Sequence, residues 1–127
     1  MYVPTMVNDK ENVNWKFDVK SRKILISEDM VIQLLESGAI TKKDFDTEGE
    51  TIRLKNGTKL PSNVLIIASL QIGDVVLENV KVTVDSTIEE PVMGGMSTTL
   101  KKIAALVKGK FLFMKPKEKK GAKPSDD

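Results

Sequence analysis

Trp15, Phe17 and Val19 alternate with Lys16 and Asp18, a period of two that predicts a strand with one covered face. Four polar residues, Lys20, Ser21, Arg22 and Lys23, interrupt the strand before a second apolar run, Ile24-Leu25-Ile26. Ser27 then suits a helix N-cap, with Glu28 and Asp29 where a helix N-terminus favours negative charge. Met30, Val31, Leu34 and Leu35 fall on one helical face, and Gly38 supplies the stop. One acid, Asp18, is thereby placed at a strand end, on a tight loop crowded with cations. Loops held by rigid strands are where chemistry is usually found, so Asp18 is the residue to explain.

Upstream, residues 3–8 and 13–19 predict two short strands joined by the polar cluster Asn8-Asp9-Lys10-Glu11-Asn12. Downstream, Thr41-Lys42-Lys43-Asp44 has the spacing of a capping box and predicts one further turn, closed by Phe45. Residues 51–55 and 58–68 flank Asn56-Gly57, a hairpin signal of type I′, in which both central residues take positive φ. Pro61 cannot donate to a ladder, so the returning arm is expected to be free or at an edge there. Residues 64–68 are apolar on both faces and are expected to form the most buried strand. Gly73-Asp74 predicts a second turn, followed by a strand in which Val80, Val82 and Val84 alternate with Lys81 and Thr83. An acidic loop at 85–91 leads to Val92-Met93-Gly94-Gly95-Met96-Ser97, where two adjacent glycines imply close backbone approach. A late helix at 98–108 and a short strand at 110–114 complete the pattern. Residues 115–127, rich in Lys and Pro, carry no large apolar side chain and are expected to be a disordered tail.

At 127 residues, 40% hydrophobic and 30% charged, the chain is an ordinary globular domain in composition, and one domain spanning 1–114 is expected. No apolar run approaches the roughly 20 residues that cross a bilayer, and the N-terminus lacks the pattern of a signal peptide, so a cytoplasmic, membrane-free protein is expected. Without cysteine or histidine, disulfides, thiolate nucleophiles, zinc fingers and Ser-His catalysis are excluded together. Acid–base chemistry is left to carboxylates, Lys or Tyr. A net charge of +2 is too small to argue for nucleic acid as a partner, and the basic tail has no aromatic residue to stack on bases.

The order of strand, strand, acid-bearing loop, hairpin, strands, apolar-apolar-Gly, helix and strand resembles that of the retropepsin-like aspartic proteases, specifically the single-domain bacterial proteins of that clan. The matching pieces are Val3-Pro4, Phe17-Asp18 leading into Ile24-Leu25-Ile26-Ser27, the helix ending Leu34-Leu35-Glu36-Ser37-Gly38, Arg53 to Thr58, Leu70-Gln71-Ile72-Gly73, and Gly95-Met96-Ser97. The resemblance implies a mainly β fold: a closed acid-protease barrel with a helix after the active-site loop and a late C-terminal helix. It further implies a homodimer that contributes one aspartate from each copy, with no cofactor and no metal.

In that family the loop reads Asp-Thr-Gly-Ala-Ser. Here the candidate catalytic Asp18 is followed by Val19, Lys20, Ser21 and Arg22. Val19 lacks the hydroxyl of the family threonine, and Lys20 puts a side chain and a cation where the family has glycine. The second signature matches Val92-Met93-Gly94, or in a shifted register Gly95-Met96-Ser97. Lys55, Asn56, Gly57 and Thr58 match the tip of the flap that closes over substrate. Asp46-Thr47-Glu48-Gly49 lacks flanking apolar strands and is expected to be a solvated loop.

Three functions follow from these residues. The first is a degenerate, inactive homodimer that binds an extended peptide under its flaps. The second is an active aspartic endopeptidase using Asp18 of each copy. The third is a purely structural dimerisation module.

Overall fold

The computed structural model describes residues 1–97 and residue 101. The strand at 110–114 and the tail at 115–127 lie outside the described residues. So does the late helix, apart from Lys101, whose amide donates to the Ser97 carbonyl at 3.1 Å.

The first two strands, β1 (Tyr2–Val7) and β2 (Glu11–Asp18), form an antiparallel pair in which Val3, Val7, Val13 and Trp15 are buried. The chain reverses at Asn8 and Asp9, whose φ values of 51° and 57° are those of a type I′ turn, closed by the Lys10 amide on the Val7 carbonyl at 2.9 Å. The buried indole of Trp15 donates to Thr5 Oγ1 at 2.8 Å, and Thr5 passes its own hydroxyl proton to the Val13 carbonyl at 3.0 Å.

Strand β3 (Ile24–Ile26) runs directly into helix α1 (Glu28–Ser37). Ser27 Oγ accepts the Met30 amide at 3.4 Å, Val31 and Leu34 face the core, and Gly38 ends the helix, as the spacing predicts. The 3-10 turn at Lys42–Asp44 carries the full capping box with Thr41. Phe45 beyond it is buried and bridges to Leu65.

Two short strands, β4 (Ile52–Arg53) and β5 (Lys59–Leu60), make a hairpin of their own. Its turn is not the expected type I′. Gly57 has φ 90° whereas Asn56 is not left-handed; Gly57 donates to the Leu54 carbonyl at 2.9 Å, and Leu54 to Thr58 at 2.8 Å. That is a three-residue loop with a single left-handed glycine, which asks positive φ of Gly57 alone. The predicted 58–68 strand is also broken. The strand ends before Pro61 and resumes in β6 (Val64–Ile72), where Ser62 Oγ accepts the Val64 amide at 3.1 Å.

Within β6, Leu65, Ile67, Leu70 and Ile72 are buried, while Val64 and Ile66 are half-buried and Ala68 is exposed. Residues 64–68 are thus covered fully on one face only, contrary to the two-sided burial expected of them. Strand β7 (Val75–Val84) returns across the Gly73-Asp74 turn, and β8 (Val92–Gly94) follows the 85–91 loop.

Six strands close a barrel in the order β1-β2-β8-β3-β7-β6. The short β8 wedges between two earlier strands, parallel to β2 and antiparallel to β3. The expected mainly β, closed barrel with a helix after the Asp18 loop is therefore present. No helix among the described residues is long and apolar enough to cross a membrane.

Candidate active site

Strand β2 delivers Asp18 to the barrel rim with Gly94 as its partner across the parallel pair; Phe17 and Lys16 face Met93 and Val92 in the same register. Three amides from the β8 end then clasp the loop that follows. Gly94 donates to the Lys23 carbonyl at 2.9 Å, Gly95 to Asp18 at 2.7 Å, and Met96 to Ser21 at 2.9 Å. A Cβ on Gly94 would stand 2.4 Å from the Ser21 oxygen and 2.6 Å from that of Lys23, both rigid backbone atoms. The double glycine is a steric requirement of this clasp.

The residues of the two registers differ in burial. Val92, Met93 and Gly94 lie within the barrel, with Met93 fully buried, whereas Met96 is exposed.

Asp18 itself is exposed. Its Oδ1 accepts the backbone N–H of Lys20 at 3.1 Å, and its carbonyl accepts the Ser21 amide at 3.2 Å. Ser21 Oγ in turn accepts the Lys23 amide at 3.1 Å, so the loop is held by its own polar groups. Lys20, Arg22 and Lys23 are exposed, and among the described residues none forms an ion pair with Asp18. Lys20 thus holds the acid through its amide rather than its ammonium. Val19, 64% exposed, and Met96, 40% exposed, flank the clasp with apolar surface.

Lys23 points its charge elsewhere. The Asp85 carboxyl is held below its usual range by hydrogen bonds from the Thr87 hydroxyl and amide, at 2.6 and 2.8 Å, with a smaller contribution from Lys23. Among the described residues no three metal-ligating side chains gather into a site.

The 52–60 hairpin carries Lys55, Asn56, Gly57 and Thr58 at its tip, and the tip's external contacts go to α1, not to the Asp18 loop. Lys55 donates its amide to Glu28 Oε1 at 2.9 Å and pairs its ammonium with Asp29 Oδ1 at 2.6 Å. Leu54 and Leu60 are buried beneath. Sequence patterning assigned Glu28 and Asp29 only to the helix N-terminus, because a contact across 27 residues leaves no local signature. The Asp46 to Gly49 segment is solvent-facing, with Asp46 Oδ1 turned back onto the Glu48 amide at 3.0 Å.

No protein-family model matches the chain, and no curated protein matches it. Among solved structures, a retropepsin-like aspartic protease from Rickettsia conorii is similar: 15% identical, with a TM-score of 0.49, over 74% of this chain and 72% of that one. The chemistry of the site rests on its own residues. Peptide hydrolysis by carboxylates needs an acid and a base in the same step. This loop contributes one carboxylate, that of Asp18.

Proposed function

We propose that this chain is a retropepsin-like domain that pairs through its Asp18 loop as a homodimer, has lost peptide hydrolysis, and holds an extended peptide by strand addition at the 52–60 hairpin. The observation that carries the reading is the clasp. An acid at a strand end, locked to a buried apolar-apolar-Gly strand, is surrounded by exposed Val19 and Met96 and by three exposed cations. Apolar surface at that rim suits a self-complementary, two-fold contact. Loss of hydrolysis follows from the residues beside the acid: Val19 has no hydroxyl to donate, and Lys20 puts a long side chain where close approach of a second carboxylate and a peptide needs open space. Two carboxylates act as acid and base only when they lie close enough to share one proton.

Sedimentation across a concentration series tests the pairing: wild type should shift from monomer to dimer, and Val19→Asp should remain monomeric. Incubation with a peptide library tests the chemistry. No cleavage is expected from wild type, and retention of the same peptides by Asp18→Asn is expected, since binding does not use the carboxylate charge. A strictly monomeric wild type would sink the proposal.

One observation favours the second reading, an active aspartic endopeptidase. Lys20 meets Asp18 through its amide, and among the described residues no ammonium pairs with the acid. Cleavage by wild type that vanishes in Asp18→Asn would select that reading.

A further inference from the structure

A groove of about 410 Å3 runs between the first turn of α1 and the 86–89 loop, with Glu28 and Asp29 on one side. Lys55 is the hairpin residue on its wall. Both of Lys55's external contacts, amide to Glu28 and ammonium to Asp29, reach across to α1. The rest of the hairpin is held differently. Leu54 and Leu60 are buried in the core and Ile52 packs against it, so the base is fixed by apolar anchors. Past Leu54, hydrogen bonds inside the hairpin hold Asn56, Gly57 and Thr58: Gly57 to Leu54, Leu54 to Thr58, Thr58 to Asn56 Oδ1, and Arg53 to the Gly57 carbonyl.

We propose that the 55–58 turn is a strap fastened to the first turn of α1 by Lys55, and that salt or loss of the Lys55 charge releases it from Glu28 and Asp29. The ionic partners are 59% and 68% exposed, so the tie is weak and open to screening. The anchors at Leu54 and Leu60 do not respond to salt in that way, because their burial is apolar. Opening is therefore confined to the tip, with Leu54 as its fixed end. The strap goes beyond the function proposed above and holds whether or not Asp18 reacts.

Amide hydrogen exchange on the full chain, followed residue by residue, tests it. Rates are taken relative to those of unstructured peptide in the same salt. The Lys55 amide, which donates to Glu28 on α1, should exchange about two- to fivefold faster at about 1 M sodium chloride than in dilute buffer, the range an exposed ion pair supports. Ile67 and Val80, paired in β6 and β7, should keep their rates. Lys55→Met should show the fast tip exchange already in dilute buffer and no further response to salt; Asp29→Asn should do the same, and Lys55→Arg should behave as wild type. A wild-type tip indifferent to salt, or a Lys55→Met tip that still responds, would overturn the proposal. So would an acceleration that reaches Ile67 and Val80 equally, since that is loosening of the whole fold.

Discussion

The amide of Gly95 donates to the carbonyl of Asp18 at 2.7 Å, which ties the end of β2 to the residue just past β8. Because Asp18 and Gly94 are also partners in the parallel pair, the acid is fixed from two consecutive positions of one segment. The loop's conformation is thus set by a strand some seventy residues away in sequence, and anything that pushes β8 outward moves Asp18.

Gly94 is the tightest point of that arrangement. Gly94→Ala should cost about 3 kcal/mol, at the upper end of overpacking, because its Cβ would meet two carbonyl oxygens that cannot turn away. Gly95→Ala should cost less, about 1–2 kcal/mol, since its closest contact is the Phe17 ring tip at 2.8 Å and the Val19 backbone atoms stand further off, at 3.0 and 3.1 Å. Urea denaturation of both variants measures the order. Equal losses, or a Gly94→Ala protein as stable as wild type, would contradict the clasp.

Asp18 variants separate its hydrogen-bond role from its charge. Asp18→Asn keeps an oxygen to accept the Lys20 amide, so stability should stay within about 0.5 kcal/mol of wild type. Asp18→Ala removes the acceptor from an exposed turn and should cost about 1 kcal/mol. If Asn is as damaging as Ala in denaturant titrations, then the charge interacts with Lys20, Arg22 or Lys23 and the amide-held picture is wrong.

The core has a polar relay whose members depend on one another. Thr5→Val leaves the buried Trp15 N–H without its acceptor and should cost about 1–3 kcal/mol. Trp15→Phe loses indole packing as well. In the double variant the unpaired donor is gone, so the two losses should sum to more than the loss measured together. A double-mutant cycle with no coupling would show that the relay contributes nothing beyond packing.

Much of this was legible in the chain. Period-two alternation in residues 13–17 and the Ser27 cap before Met30, Val31 and Leu34 are local patterns, and local patterns fold locally. The turns show where such reasoning stops. Asn56-Gly57 has the stronger type I′ signature, yet the type I′ geometry belongs to Asn8 and Asp9. Tertiary contacts decide it. Asn8 donates its backbone amide to the Ser69 carbonyl at 2.8 Å, accepts the Ser69 amide on its side chain at 2.9 Å, and donates its side-chain amide to Ala39 at 2.8 Å. Those bonds hold a left-handed asparagine in place and cannot be seen in a hairpin's own sequence. The candidate site divides similarly. Asp18 and Gly94 stand out as residue types, whereas the Gly95 clasp and the Lys55 tie to Glu28 and Asp29 join distant segments and emerge only from the barrel's closure.

The Asp85 carboxyl offers a pH signature in the loop that feeds β8. Its ordinary value is 3.8, and in the folded chain the Thr87 hydroxyl and amide hold it lower, opposed in part by desolvation, with Lys23 the smallest contribution. A folded-state value below the unfolded one means that the carboxylate contributes stability above the unfolded value, and that this contribution is lost as pH falls through the folded value. Thr87→Val removes the hydroxyl, the largest of these causes, and leaves the amide. The variant should be less stable than wild type at neutral pH, and the gap should close as pH falls through the folded value, below which the carboxyl is protonated in both states. Solvent exposure keeps the gap small, so the direct measurement is the carboxyl carbon shift of Asp85 followed by NMR through acid titration. Its midpoint should move upward, towards 3.8, in Thr87→Val. A midpoint that stays put would assign the depression to Lys23 and the Thr87 amide, and Lys23→Met would then be the variant that moves it.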